Sequence, residues 1–199
     1  MELFEEDLNP FYSLKFDVLG ANMVGKTILC KRIKADNDGY EFGEYLKNTW
    51  NMTTIGNVLF ITRIKFNNEV FKLNIWDHTG IELYIVKNMH IIFKGTYAVL
   101  ILYDVCDRQS FEMAKRICMR KANINKKALC FLIRSNYGII KNNHDIVSDE
   151  EAIEFAAQNN LYFTHIDCFE KYETGLKELF SFIFTIFLKD KNKDRYKKN

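Results

Sequence analysis

Apolar and polar residues alternate along this chain with two different periods, and the periods take turns. Tyr12 to Leu19 (YSLKFDVL) changes character residue by residue, the period of a strand, and Ile28 to Ala35 (ILCKRIKA) repeats at the spacing of an amphipathic helix. Asp36 to Gly56 is polar and aromatic with weak periodicity and is expected to be mostly loop. Asn57 to Phe66 (NVLFITRIKF) alternates again. Asn67 and Asn68 tolerate the positive φ of a tight turn, and Glu69 to Asp77 continues the pattern, which predicts a β-hairpin. Glu82 to Lys94 reads as helix. Tyr97 to Val105 (YAVLILYDV) is a continuous apolar run, as a parallel strand covered on both faces requires. Arg108 to Asn123 is helical, and Lys127 to Ser135 is a second buried strand. Ser148, with Glu151 three residues on, has the spacing of a capping box at the head of another helix. Leu161 to Cys168 is the last strand. Gly175 to Asp190 is an amphipathic final helix with Leu176, Leu179, Phe180, Ile183, Ile186 and Phe187 on one face.

Strands and helices therefore alternate after a single hairpin. This order predicts an α/β three-layer domain: a mostly parallel six-stranded sheet with one antiparallel hairpin strand and helices on both faces. The domain is expected over residues 1–188, with a basic disordered tail over 189–199. Ligands in such sheets lie beyond the carboxyl ends of the strands.

Composition narrows the class. The chain has 199 residues, of which 48% are apolar, enough for one sizeable core. Its net charge of +2 gives no overall basic field, so a nucleic-acid partner is not expected. The five cysteines (Cys30, Cys106, Cys118, Cys130 and Cys168) form no C-x-x-C pair and are expected as reduced, small core residues of an intracellular protein. The N-terminus MELFEEDLNP is acidic, unlike a secretory signal, and no apolar run approaches the roughly 20 residues of a membrane span. His78, His90, His144 and His165 show no metal spacing, and His78 is read as an exposed loop residue.

Candidate chemistry begins at GANMVGKT, Gly20 to Thr27. The pattern Gly-x4-Gly-Lys-Thr between a strand and a helix fits a phosphate-binding loop. Backbone N–H groups from Gly20, Ala21, Asn22, Met23, Val24 and Gly25 are expected to turn inward on an anion, helped by the helix dipole. Lys26 is placed to reach the outer phosphates and Thr27 to offer its hydroxyl to Mg²⁺. The hairpin ends in WDHTG, Trp76 to Gly80. There Asp77 is suited to anchor the Mg²⁺ water shell, and Gly80 to present a backbone N–H to a γ-phosphate.

With these motifs the chain resembles the Ras-superfamily small GTPases, and most closely their Rab branch, which carries W-D-T-A-G-Q-E where this chain has WDHTGIE. TTIG, Thr53 to Gly56, is similar to the Rab first switch, with Thr54 matching the threonine that binds Mg²⁺. YDVCDRQSFE, Tyr103 to Glu112, is similar to the Rab segment after the fourth strand. The likeness spans roughly Leu14 to Leu188. It implies a P-loop small G-protein domain that binds GTP or GDP with Mg²⁺. Cys30 and Asn136 join the nucleotide-binding set; Thr27, Thr54 and Asp77 form the metal set. It also implies effector or regulator proteins bound through the switches and the hairpin, and a role in vesicle transport. Trp76 and Phe60 resemble residues of that partner surface, with ordinary hairpin packing as the other reading.

The chain also departs from the family. Ile81 stands where a catalytic glutamine orients the attacking water, so hydrolysis is expected to be weak or absent, and no catalytic residue is assigned. The base motif N-K-x-D falls on Ser135, Asn136 and Gly138, or, shifted by one, on Asn136 and Ile139; neither register keeps the aspartate that holds guanine. DCF, Asp167 to Phe169, replaces the loop that closes over the base; Phe169 is read as packing or stacking, and Asp167 as solvated or a substitute carboxylate. Thr54 lies 27 positions after Thr27, which makes a longer first switch, whose Tyr40, Phe42, Tyr45 and Trp50 bind a partner or pack the loop. A side chain at Asn22 crowds the approach of water or an arginine finger. The last residues, KDKNKDRYKKN, hold no prenylated cysteine, and Glu2 excludes N-myristoylation. The resulting expectation is a monomeric, cytoplasmic, Rab-like switch, brought to membranes by a partner or its basic tail. The alternative is a pseudo-GTPase module that binds partners without nucleotide.

Overall fold

The computed structural model describes residues 11–38, 54–136, 147–166 and 175–196. Its strands are β1 (Phe11–Gly20), β2 (Asn57–Phe66), β3 (Glu69–His78), β4 (Ala98–Asp104), β5 (Leu129–Ser135) and β6 (Tyr162–His165). They form one sheet in the order β2-β3-β1-β4-β5-β6. Only β2 and β3 pair antiparallel; every other neighbouring pair is parallel. The helices are α1 (Lys26–Asp38), α2 (Glu82–Ile92), α3 (Arg108–Ile124), α4 (Asp149–Gln158) and α5 (Leu176–Tyr196). This is the three-layer architecture that the alternating periods predict.

Each face of the sheet carries its own core. Leu14, Phe16 and Val18 of β1 pack with Leu29 and Ile33 of α1 and with Phe180, Ile183, Phe184 and Phe187 of α5. Leu19 belongs to the opposite core, with Ile85 and Met89 of α2, Phe111 and Ile117 of α3 and Ala152 of α4. Both faces of β4 are covered, and all its residues are buried, which is why it reads as an unbroken apolar run. The β2–β3 hairpin turns on Asn67 (φ 49°) and Asn68 (φ 63°), both left-handed, as a two-residue turn requires.

Three local details differ from expectation. α1 continues past Ala35 to Asp38. α5 continues to Tyr196, through most of the segment expected as a disordered tail, and Phe184 joins its buried face while Ile186 is half-buried. Ser148 does cap α4, accepting from the Glu151 N–H at 3.2 Å. The Glu151 carboxylate, however, binds Arg108 at 2.6 Å instead of closing a capping box. The aromatic residues Tyr40, Phe42, Tyr45 and Trp50, and the positions Gly138, Ile139, Asp167, Cys168 and Phe169, lie outside the described residues. Among the described residues, no helix is long and apolar enough to cross a membrane.

Candidate functional site

β1 ends in Gly20, and the chain turns through Ala21 to Gly25 before α1 begins at Lys26. The turn needs left-handed backbone at Met23 (φ 62°) and Gly25 (φ 91°). Gly20 (φ 139°) needs glycine for a second reason: a Cβ there would lie 2.2 Å from the Leu102 carbonyl oxygen of β4. The loop is therefore seated directly on the sheet. Lys26 bends back over it, and its Nζ donates to the Ala21 carbonyl at 2.6 Å. Its side chain is almost completely buried. Burial pushes the ammonium down to about 8, with Asp77 and Cys30 opposing the shift. A cation held this way loses little further solvation when a phosphate arrives.

Beside the lysine, three side chains from three segments meet. Thr27 Oγ1 donates to Asp77 Oδ2 at 2.6 Å, Thr54 Oγ1 lies 3.1 Å from the same oxygen, and the two hydroxyls are 2.8 Å apart. Asp77 is fully buried at the end of β3, and burial, more than any other influence, raises its carboxyl above the ordinary range. Its second oxygen, Oδ1, is buried with no hydrogen-bond partner among the described residues. Two hydroxyls and a buried carboxylate with an oxygen to spare form a hard oxygen donor set, the chemistry Mg²⁺ selects. Thr27, Thr54 and Asp77, expected as the metal set, are thus brought together. No group of three or more His, Cys, Asp or Glu side chains among the described residues is arranged to hold a metal ion.

Gly80 closes the site from the other side. A Cβ on it would fall 2.3 Å from both the backbone nitrogen and Oδ1 of Asn22, so the second segment lies in contact with the loop. The two segments are also joined directly, since the Thr79 N–H donates to the Gly56 carbonyl at 2.9 Å. Ile81 follows at the head of α2, 56% exposed and making no side-chain cap. Asn22 and Met23 face solvent, Val24 is buried, and Cys30 is fully buried in the core behind α1. At the base end, Ser135 is buried and its hydroxyl donates to the Val24 carbonyl at 2.8 Å. Asn136 is exposed.

One expectation is corrected, and one open alternative is decided. His78 is not an exposed loop residue; it ends β3, buried, with Nε2 at 2.8 Å from Asp17 Oδ1 and Nδ1 at 2.9 Å from Asn57 Oδ1. Asp17 is the reason: it is a wholly buried carboxylate on β1 and needs donors. Phe60 is not on the partner surface either, because its side of β2 faces the α1–α5 core. The alternation of β2 leaves Leu59 and Ile61 exposed instead. Leu59 sits across from Trp76 in the hairpin, and Ile55, Leu83 and Tyr84 are exposed nearby.

A family model described as the Ras family matches residues 15–189. The chain is 28% identical to the Ras-related protein Rab-11B of Dictyostelium discoideum over 189 residues, covering 90% of this chain and 78% of that one. It is 30% identical to the Ras-related protein Rab-1 of Theileria parva over 183 residues, covering 90% and 76%. With the Ras-related protein RabF1 of Dictyostelium discoideum the identity is 32% over 147 residues, covering 72% and 66%. A glycine loop seated on β4, a lysine folded over it, a Thr–Thr–Asp oxygen set and this likeness along nearly the whole chain have one common explanation: the chain belongs to the Ras family of small GTPases, near its Rab branch.

Proposed function

We propose that this protein is a Mg²⁺-dependent guanine-nucleotide switch of slow turnover, acting through partner proteins in intracellular transport. The observation that carries this reading is the oxygen set of Thr27, Thr54 and Asp77 beside the buried Lys26, with Asp77 Oδ1 left without a partner among the described residues. Lys26 and the loop N–H groups of Gly20 to Gly25 hold the phosphates. Thr27 and Thr54 supply hydroxyls to the metal, and Asp77 orders its water shell. The ion supplies positive charge against the outer phosphates. Gly80 presents its N–H to the terminal phosphate, and so ties the second segment to the nucleotide state. The exposed Leu59, Ile61, Leu83 and Tyr84 offer an apolar partner surface flanking both segments. The basic residues from Lys189 onward, or a bound partner, bring the protein to a membrane surface.

Slow turnover follows from Ile81. Its side chain neither donates nor accepts a hydrogen bond, so it orients no water. A second reading, a nucleotide-independent interaction module, draws on the same residue and on the base motif, which keeps its aspartate in neither register. Denaturing the purified protein and chromatographing the released nucleotide separates the two readings. Titration with fluorescent GDP, GTP and ATP, in Mg²⁺ and in chelator, completes the test. Mg²⁺-dependent guanine binding supports the switch. Binding of all purines alike keeps the phosphate site and removes guanine selectivity. No binding at high micromolar concentration leaves the interaction module.

A further inference from the structure

The buried histidine next to Asp77 belongs to a longer chain of contacts. Asn57, three residues past Thr54, donates through Nδ2 to the Tyr84 hydroxyl of α2 at 3.2 Å, and its Oδ1 lies 2.9 Å from His78 Nδ1. His78 Nε2 meets Asp17 Oδ1 at 2.8 Å. The other oxygen of Asp17 accepts from Thr96 and lies 3.4 Å from Lys15 Nζ. Lys15 in turn donates to the carbonyls of Ile92 and Lys94, at the far end of α2. One hydrogen-bonded path thus runs from the exit of the first phosphate-facing segment, across the interior, to both ends of the helix that follows the second. Asp17, His78 and Thr96 are all buried, so water does not substitute for the partners if the path breaks.

We infer that His78 is a positioning residue, the strut by which the segment ending at Asn57 and the segment Asp77–Gly80 with α2 are placed as one unit. The placement matters because Thr54 and Gly80 lie on those two segments and meet the same site. Backbone coupling at Thr79–Gly56 is local; the strut extends it to Lys94. Segments tied by such a path are expected to open as one cooperative unit. The use assigned to the strut rests on the nucleotide-switch reading, but its existence does not.

Hydrogen exchange read by mass spectrometry on the full chain, wild type against Asn57→Ala, tests the strut without nucleotide. Asn57 is exposed and its loss leaves the Asp17–His78 contact intact, so the variant retains its core. Amides over 56–60 and over 82–92 are expected to exchange about fivefold faster or more, together, while β4 and α5 stay unchanged. Acceleration on the Asn57 side alone, or none, overturns the inference. His78→Phe is expected to reproduce the paired acceleration, and His78→Gln, which keeps hydrogen-bonding groups, to restore part of the protection. A uniform rise across the molecule in His78→Phe, with Asn57→Ala silent, overturns the strut and leaves His78 as a packing residue. With nucleotide, Asn57→Ala is expected to speed release of fluorescent GTP several-fold and leave GDP release unchanged, because only the terminal phosphate engages both segments. Equal effects on the two nucleotides overturn the positioning role. If the wild type binds neither nucleotide while exchange remains paired, the switch reading falls and the strut stands.

Discussion

The glycine-loop end of the site and the end that carries Ile81 and Asn136 differ in how deeply the fold buries them. At the phosphate end, Gly20, Lys26, Thr27, Thr54, Asp77 and Gly80 all match the family, and the structure ties most of them to the core. Lys26 and Asp77 are buried, Gly20 lies against the Leu102 carbonyl, and Gly80 lies against Asn22. At the other end, Ile81 stands where glutamine is expected, and the base motif keeps its aspartate in neither register. Ile81 and Asn136 are exposed. A buried residue with steric or electrostatic partners is costly to change, whereas an exposed catalytic side chain is lost at little cost to stability. The phosphate site therefore doubles as structure, and the hydrolytic position does not. Ser135 fits the same rule. It is buried, and its hydroxyl holds the loop at Val24.

Substitutions at the two ends sharpen this contrast. Lys26→Met is expected to lower nucleotide affinity by about a hundredfold or more, because it removes the charge facing the phosphates. Its urea midpoint should stay level or rise, since a buried charge also disappears; a collapse in stability would mean that Lys26 is chiefly structural. Gly20→Ala reverses the pattern. Its Cβ meets a carbonyl of β4, and unfolding in urea is expected to show a loss of about 2–4 kcal/mol. Ile81→Gln should leave the urea midpoint unchanged and speed single-turnover GTP hydrolysis about tenfold. An unchanged rate would place the defect elsewhere, with Asn22 the first neighbour to test.

The smallest effect is in pH. The folded chain releases the Lys26 proton at about 8 rather than near 10.5. Below about 8 both folded and unfolded forms carry the charge, and the burial cost is fully present. Between the two values the unfolded chain binds more protons, so this contribution to stability rises with pH. Phosphate affinity should move the opposite way, falling about fourfold between pH 7 and 8.5 as the free protein loses the ammonium. Calorimetric titration with GDP at both values measures it, and Lys26→Met should abolish the dependence.

The fold was legible because its signals are local. Period-two alternation marked β1, β2 and β3, the unbroken apolar run marked β4, and the Asn67–Asn68 turn fixed the hairpin. The phosphate loop was legible for the same reason: its residues are contiguous and their spacing is the motif. For Phe60 a partner surface and hairpin packing both stayed open, because likeness to a partner surface does not say which face of β2 a residue occupies. The pairing of Leu59 with Trp76 decides that. His78 was misread because a histidine after Asp77 looks like the start of a loop. Asp17 was the available signal, an acid on the strand face that Leu19 shares with the α2–α3 core, but one position in an alternating strand reads equally well as polar surface.

What the sequence determined by itself was the order of elements, the family and the position of the glycine loop between β1 and α1, all of which depend on neighbours along the chain. Only the tertiary structure brought Thr27, Thr54 and Asp77 within 3.1 Å of one another. It alone turned Asp17 and His78 inward as partners 61 positions apart in sequence. The physical reason is that burial creates the demand for a partner. A carboxylate in water has no need of a particular donor, but a carboxylate enclosed by two layers must find one, and which donor it finds is set by strand register rather than by sequence spacing.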